Sequence, residues 1–291
     1  MLVGCAEAAE PQGEDDLESY RLGRVHVVLD AVETGDVDDP GTSEHLAVTA
    51  RFAFVRGLSE GFARARIDMP VLPTDVLEPQ HCALQSRLQP NPDDPGEPSL
   101  RHAAMRELVL ADAGPLELEI GDLHTTLPLA LVPDLLPYMS GVEYVYVAED
   151  RPLTAARDLA LRSAGAEFEG MPEFEVESPL PSGVRLELAA ETSADVLALR
   201  WDAASTKRPL TLRIWAQQAG RSVGDPVVCI LDDIGDARIP LDYLVSEGLD
   251  AAADTLRLEA SRSHLSHFTA GDFSGTELLV ERRSHLEIAL R

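Results

Sequence analysis

The sequence is poor in positive charge and contains almost no lysine. Its 24 Lys and Arg residues are outnumbered by 51 Asp and Glu residues, which gives a formal net charge of -27 at pH 7. A surface of this sign repels phosphate backbones, so nucleic-acid binding is excluded as a function class. Lys207 is the single lysine. The other cations are arginines, whose planar guanidinium groups are suited to pairing with the abundant carboxylates.

A long apolar run is also missing. No stretch approaches the roughly 18 apolar residues that a membrane-spanning helix requires, so we expect no spanning segment. Apolar residues make up 45% and charged residues 26% of the 291 residues, as in an ordinary folded protein. This length corresponds to roughly two domains of about 150 residues.

The motifs of common enzyme classes are absent from the sequence. It has no Gly-x-Ser-x-Gly elbow, no Gly-rich phosphate loop and no dinucleotide fingerprint. Acidic pairs such as Glu149-Asp150 are too frequent in so acidic a chain to single out a glycosidase pair. We therefore expect no cofactor, and a non-enzymatic role is favoured over an enzymatic one.

The first residues carry the most specific signal. Leu2-Val3-Gly4 precedes Cys5, and residues 6–18 are small, polar and acidic, as in a solvated tether. This segment resembles the lipobox of bacterial lipoproteins, in which the acylated cysteine follows a Leu, a small or β-branched residue and a Gly. The resemblance implies lipidation of Cys5 and attachment to a membrane through a lipid anchor, on the periplasmic or surface face of the bacterial cell envelope. The basic and apolar parts of the signal peptide are then expected upstream of Met1. The alternative is a chance match at a disordered terminus.

The sequence pattern of the remaining chain is typical of β-strands. Residues 24–29, 45–55, 115–120 and 142–147 alternate in polarity or consist of β-branched and aromatic residues. Helical spacing is limited to short stretches around residues 244–253 and 133–139. The expected fold class is all-β, with two antiparallel Ig-like β-sandwich domains in tandem after a disordered N-terminal tether. The predicted parts are the lipobox remnant and flexible acidic tether (1–20), the N-terminal β-sandwich (21–176) and the C-terminal Ig-like β-sandwich (177–291).

The boundary between the two sandwiches is expected near Glu177–Pro181, where two prolines interrupt any strand ladder and suit a short extended linker. Seven strand-like runs follow, as in an Ig-like sandwich. Parity within these runs places Trp201 between the two sheets and Trp215 in a different environment. The runs contain Leu199-Arg200-Trp201, Val228-Cys229-Ile230 and Ile239-Pro240-Leu241. In these features the stretch resembles the Ig-like module of bacterial cell-envelope lipoproteins of unknown function. That resemblance implies a scaffold and no particular chemistry.

Four residues are weak metal-ligand candidates: His264, His267, Asp272 and His285. A His-x-x-His pair in a loop could share a zinc ion if Asp272 or His285 completed the coordination shell. The helix and the Glu of the metalloprotease motif are missing, however. We therefore expect exposed loop histidines at 264 and 267, and a solvent-facing His285.

Two further groups have structural interpretations. The four aspartates at 232, 233, 236 and 242 suggest a calcium loop, but their spacing is not that of an EF-hand, so a tight turn is expected. Cys82 and Cys229 fall in different predicted domains, and a disulfide needs Cα atoms within about 7 Å. Two separate buried thiols are therefore favoured over a bridge.

These features predict a non-enzymatic, envelope-anchored lipoprotein with a binding or spacer role and a protein or carbohydrate ligand. The alternative is a metal-dependent binder or hydrolase whose site is assembled from residues far apart in sequence. A deep pocket with converging His, Asp or Glu side chains would favour the alternative.

Overall fold

The computed structural model describes residues 19–32, 43–69, 71–88, 106–136, 139–151, 153, 155–166, 170–193, 195–204 and 208–290. The strands are β1 (Ser19–Val32), β2 (Ser43–Arg56), β3 (Cys82–Leu84), β4 (Glu107–Leu110), β5 (Leu116–Ile120), β6 (Leu123–Thr126), β7 (Leu129–Leu136), β8 (Met139–Arg151), β9 (Asp158–Ser163), β10 (Phe174–Pro179), β11 (Glu187–Leu188), β12 (Val196–Arg200), β13 (Leu210–Gln218), β14 (Arg221–Leu231), β15 (Asp236–Pro240), β16 (Thr255–Ala270) and β17 (Phe273–Ala289). The helices are α1 (Glu60–Arg66), α2 (Pro73–Val76), α3 (Gln85–Leu88) and α4 (Leu241–Glu247).

Strands dominate and the helices are short, so the predicted all-β class is confirmed. The alternating stretches of the sequence become β1, β2, β5 and β8. Of the two expected helical stretches, the one near Leu244 overlaps α4, which ends at Gly248 in the left-handed conformation (φ 119°). The other expected helix, at residues 133–139, is wrong in its described part, because residues 133–136 lie in β7 and Met139 begins the antiparallel strand β8. No helix in the described ranges is long and apolar enough to cross a membrane.

Ten strands form one large sheet, here called the main sheet, in the order β3-β14-β13-β16-β17-β1-β2-β4-β8-β7. Two smaller sheets lie over it. The first cover sheet has the order β10-β9-β5-β6, and the second cover sheet has the order β11-β12-β15. Most pairs are antiparallel, but β1 runs parallel to β17 and β4 runs parallel to β8. The expectation of purely antiparallel sandwiches is therefore wrong at these two pairs.

Each cover sheet closes its own apolar core against the main sheet. The first core joins alternate residues of β1 and β2, such as Val25 and Phe52, to Leu118 and Leu161 of the first cover sheet. In the second core, Leu197, Leu199 and Trp201 pack against residues of β13, β14 and β16. Trp201 is only 7% exposed. Trp215 is half-buried, beside Arg257, so the predicted difference between the two tryptophans is confirmed.

The main sheet continues across the predicted domain boundary. β1, from residues 21–176, pairs with β17, from residues 177–291, over nine register positions from Leu22–Gly275 to Asp30–Arg283. Phe273, Leu278 and Val280 of β17 belong to the first core. The division at residue 176 stays a prediction as far as folding units are concerned. In the sheet, however, strands from the two sides are directly hydrogen-bonded neighbours.

Two buried arginines mark the junction between the cores. Arg262 of β16 and Arg282 of β17 lie directly opposite each other in the antiparallel ladder. Arg262 donates to Asp233 Oδ2 (2.7 Å) and Ser182 Oγ (3.2 Å), and it also contacts the carbonyl oxygens of Gly183 and Asp202. Both guanidinium groups project to the side of the cover sheets, between one core and the next.

Arg282 binds the connection between the two cover sheets from the other side. It donates to the carbonyl oxygens of Leu153 (2.7 Å) and Pro181 (3.0 Å), and its Nε lies 3.2 Å from Glu44 Oε1. The Leu180 backbone N–H donates to the Arg157 carbonyl at 2.7 Å. The segment Glu177–Pro181 is therefore not a loose linker. Its first part belongs to β10, its last residue Pro181 is held by Arg282, and the residues that follow, Ser182 and Gly183, are held by Arg262.

We predict that Arg262→Met exposes this connection to proteolysis. The variant loses the hydrogen bonds to Ser182 and Gly183 and leaves the Asp233 carboxylate buried without its cation, at a cost of about 3–5 kcal/mol. A broad-specificity protease should therefore cut the variant first near residues 181–184, and mass spectrometry of the fragments locates the cut. Arg257→Met, at an exposed position of the same strand, is the control. An unchanged cleavage pattern would contradict the role of Arg262.

Candidate functional site

The predicted site residues do not come together. Cys5 lies outside the described residues. His264 and His267 lie in β16, so their expected loop is wrong. Because they are three positions apart in a strand, they project from opposite faces of the sheet. His285 is level with Glu259 in the β16–β17 register, five positions along β17 from Val280, which is level with His264. That offset corresponds to about 17 Å.

Each metal candidate has another neighbour or faces solvent. His264 contacts Arg208, His267 is exposed, and Asp272 accepts a hydrogen bond from Arg21 Nη1 at 2.6 Å. His285 is half-buried, with its Nε2 3.3 Å from Asp30 Oδ1, so the expectation that it faces solvent is wrong. In the described part of the chain, no three His, Cys, Asp or Glu residues are placed to hold a metal ion.

Asp232 and Asp233 lie in a turn, as predicted, whereas Asp236 begins β15 and Asp242 lies in α4, so the turn prediction is wrong for those two. Asp233 stabilises the second core. Asp233 accepts hydrogen bonds from Trp201 Nε1 (2.8 Å) and from Arg262. Burial alone would raise the pKa of Asp233, but these hydrogen bonds and the Arg262 charge lower it overall. The carboxylate therefore serves as a partner for a buried arginine and an indole.

Cys82 and Cys229 form a disulfide, so the expectation of two separate thiols is wrong. The error arose from assigning Cys82 to the N-terminal half. The chain leaves β2, passes through α1 and α2, and adds β3 to the edge of β14, where the two cysteines lie directly opposite each other with Cα atoms 4.0 Å apart. The bridge closes a sequence separation of 147 residues. It attaches the first half of the chain to the second core.

The face of the main sheet that points away from the cover sheets carries a buried cluster of charged residues, here called the outer charge cluster. Its centre is Glu281, 4% exposed. One carboxylate oxygen lies 3.0 Å from His26 Nε2 and accepts a hydrogen bond from Arg283 Nε at 3.1 Å. Arg213 lies 3.8 Å from the other oxygen and donates to Glu259 at 2.8 Å.

The cluster holds Glu281 in its ionised form. Burial by itself would raise the pKa of this carboxyl, but the hydrogen bond from His26 and the charges of Arg283, His26 and Arg213 outweigh it and hold the pKa well below its ordinary value. Because its carboxylates and guanidinium groups are directed at one another, we interpret the cluster as a support of the sheet rather than a reaction centre.

A large apolar concavity lies at the end of the second core. It is a groove with a volume of about 1010 Å³, here called the apolar groove. Its lining comes from residues 286–290 at and directly after the end of β17, from residues 188–190, 192 and 193 at and after β11, and from α4 and the turn that follows it. Leu188 and Val245 are 44% and 41% exposed at this groove. Large aliphatic side chains exposed beside a concavity are typical of a binding surface.

The charges of the apolar groove have one sign. Asp250 and Glu287 line it, and no basic residue is among the described lining residues. Thr192 and Ser193 add two hydroxyl groups. The groove therefore presents an apolar surface with an acidic border.

The sequence did not reveal this groove. Leu188, Val245 and Ile288 have the pattern of ordinary core residues, and whether such a residue is covered depends on which strands lie beside it. β11 pairs over only two residues, which leaves Leu188 uncovered, and no sequence pattern indicated so short a pairing.

No protein-family model matches the chain, and no curated protein matches it. Among solved structures, the chain is similar to one described as "Yeast delta-COP-I mu-homology domain". The sequence identity is 7% and the TM-score is 0.25, and the match covers 92% of this chain and 97% of that one. This level of similarity carries no information on function.

We predict that Glu281→Gln destabilises the protein in a pH-dependent manner. At about pH 7 the variant should lose about 3–5 kcal/mol of unfolding free energy, because buried cations lose their carboxylate partner. Since the pKa of Glu281 is lower in the folded state, its contribution is complete above the ordinary carboxyl pKa of about 4.3 and fades as the pH falls below that value. Urea denaturation of both proteins across this range should show the two stabilities converging in acid.

The matched control is Glu117→Gln, at an exposed position on β5. It should change the unfolding free energy by no more than about 0.5 kcal/mol at any pH. A stability difference between the wild type and Glu281→Gln that stays constant on acidification would show that the ionised carboxylate is not what stabilises the sheet.

Proposed function

We propose that the protein is a non-enzymatic, envelope-anchored lipoprotein that binds a segment of another protein in the apolar groove. The observation that carries this proposal is the groove itself, with Leu188 and Val245 exposed at its lining. A spacer needs no such surface. Exposed aliphatic side chains lose contact with water when a partner covers them, which favours binding by about 25 cal/mol per Å² of apolar area buried.

A protein segment suits the groove better than a carbohydrate. Sugar hydroxyl groups need hydrogen-bond partners when they are buried, and the groove is lined mainly by Leu, Ile, Val and Ala side chains. Aromatic rings, on which a sugar could stack, are absent from the described lining residues. Aliphatic side chains of a peptide match this lining directly.

The proposed location rests on two features. Leu2-Val3-Gly4-Cys5 and the acidic stretch behind it match the pattern of a lipidated cysteine with a tether. The Cys82–Cys229 disulfide supports a location outside the cytoplasm, because disulfides persist in oxidising compartments.

We also propose that the two cores correspond to two sandwich modules in tandem, as the resemblance to Ig-like lipoprotein modules implies. The support is that each core has a cover sheet of its own. The strands β16 and β17 are shared between them.

We predict that Cys5 carries the anchor. The gene should be expressed with its upstream reading frame in bacteria supplied with a labelled fatty acid. The label should enter the wild type and be absent from Cys5→Ser, because the thiol is the acylation site. Two or three acyl chains would hold the protein firmly, at about 0.8 kcal/mol per buried methylene. Label that persists in Cys5→Ser would refute the lipoprotein assignment.

We predict that random peptides displayed on phage are enriched on the wild-type protein through the apolar groove. Leu188→Asp and Val245→Asp place a charge on exposed groove positions, so both variants should fold and bind the enriched peptides at least about tenfold more weakly. Val147→Asp is the control, because Val147 is 65% exposed on β8, outside the groove. Peptides that bind all four proteins equally, or no enrichment at all, would count against a groove-binding function.

A further inference from the structure

The apolar groove is bordered by an open strand edge. β1 pairs with β17 only as far as Asp30–Arg283. Beyond that pair, β1 extends only to Val32, whereas β17 continues to Ala289 with β16 on one side. In the described part of the chain, no strand pairs with residues 286–289 of β17 on the other side. Residues 286–289 of β17, and Leu290 after it, also line the groove. The open edge and the apolar surface are thus the same stretch of chain.

The backbone of this edge is oriented to accept another strand. The Leu290 N–H donates to the Asp254 carbonyl, on the β16 side, at 2.8 Å. Backbone groups of a strand alternate in direction every residue. Ile288 and Leu286 therefore also direct their N–H and C=O groups towards β16, whereas Glu287 and Ala289 direct theirs towards the open side.

The side chains of residues 286–288 determine which kinds of side chain a neighbouring strand must carry. Leu286 and Ile288 pack on the second core, on the cover-sheet side. Glu287 lies between them in sequence and projects from the opposite face, where it is exposed. A strand added beside β17 therefore places alternate side chains against Leu286 and Ile288, and the side chain between them next to the Glu287 carboxylate.

From this arrangement we infer that the occupant of the groove is an extended segment in which apolar residues alternate with Lys or Arg, added as a strand beside residues 286–289 of β17. This inference rests on the proposed binding of a protein segment in the groove. Main-chain hydrogen bonds to Glu287 and Ala289 supply affinity, as in other cases of strand addition, and the alternate side chains supply specificity. The basic residues lie beside Glu287, in a protein of net charge -27.

Two other occupants are disfavoured by charge. Residues 33–42, which follow β1 in sequence, contain four acidic residues and no basic one. A second copy of this chain would bring its own Glu287 to the same edge. Either occupant would place carboxylates against carboxylates, which is unfavourable.

The first test uses synthetic peptides and the intact protein, with fluorescence anisotropy as the readout. An alternating valine–lysine peptide should bind, and the valine–glutamate peptide of the same length should bind at least about tenfold more weakly. N-methylation of every second amide blocks one edge of an extended peptide, and N-methylation of the other amides blocks the opposite edge. One of these two forms should lose binding by at least about tenfold and the other should keep it. Equal behaviour of the two forms would overturn strand addition.

The second test uses protein variants that separate the edge from the groove. Ala289→Pro removes an N–H that points to the open side, so the ladder with β16 is retained and the added strand loses a hydrogen bond. This variant should weaken binding of the valine–lysine peptide by at least about tenfold with little change in unfolding free energy. Glu287→Lys should reverse the preference between the two peptides. Failure of both changes, with binding still lost in Leu188→Asp, would overturn strand addition and leave groove binding intact.

Amide hydrogen exchange distinguishes the remaining occupants. In the free protein, the N–H groups of Glu287 and Ala289 should exchange fast, and the valine–lysine peptide should slow them. Slow exchange before any peptide is added, at all protein concentrations, would mean that the chain itself covers the edge. Protection that rises with protein concentration would mean a second copy covers it. Either result would overturn the inference.

Discussion

The pairing of β16 with β17 is the constraint on which both cores depend. The two strands have 16 and 17 residues, about three times the commonest strand length of about five to six residues. Each therefore crosses from one core to the other. At the crossing, the apolar pattern is interrupted by Arg262 and Arg282, side by side in register. Two adjacent buried guanidinium groups need nearby acceptors and carboxylates to offset the loss of hydration. Those acceptors come from Asp233, Glu44 and the connection at residues 181–183, so the arginines also fix the cover sheets relative to the hairpin.

The periodicity of the sequence predicted well which face of a strand is buried, but it predicted poorly which strands lie next to each other. The alternation in residues 196–201 was enough to place Trp201 in a core, because the side-chain period of a strand is independent of its partners. Alternation within one strand carries no information on which other strand pairs with it. The parallel pairing of β1 with β17 and the addition of β3 to β14 join segments that are far apart in sequence, and they are the features that the sequence did not predict. The Cys82–Cys229 bridge was missed for the same reason.

The errors at the candidate site have physical causes that can be traced to particular residues. Residues 261–267 look like a loop because they are mostly polar, yet they form the middle of β16. They are polar because the strand passes between two cores there and faces the partners of Arg262 instead of aliphatic side chains. The apolar groove was not predicted for the opposite reason. Leu188 and Ile288 have core-like sequences, but β11 is very short and β1 ends its pairing at Arg283, so the space beside them is not filled.

An open apolar edge is normally a hazard, because two copies of a protein can pair through it. The composition of this chain limits that hazard and links it to the proposed function. Each copy carries Glu287 at the edge and a net charge of -27, so two edges repel when they approach. The same charges attract a basic segment, and this attraction weakens as salt screens it. The acidic composition of the whole chain thus has a specific effect at the edge of β17. It disfavours pairing with an identical copy and favours pairing with a basic partner.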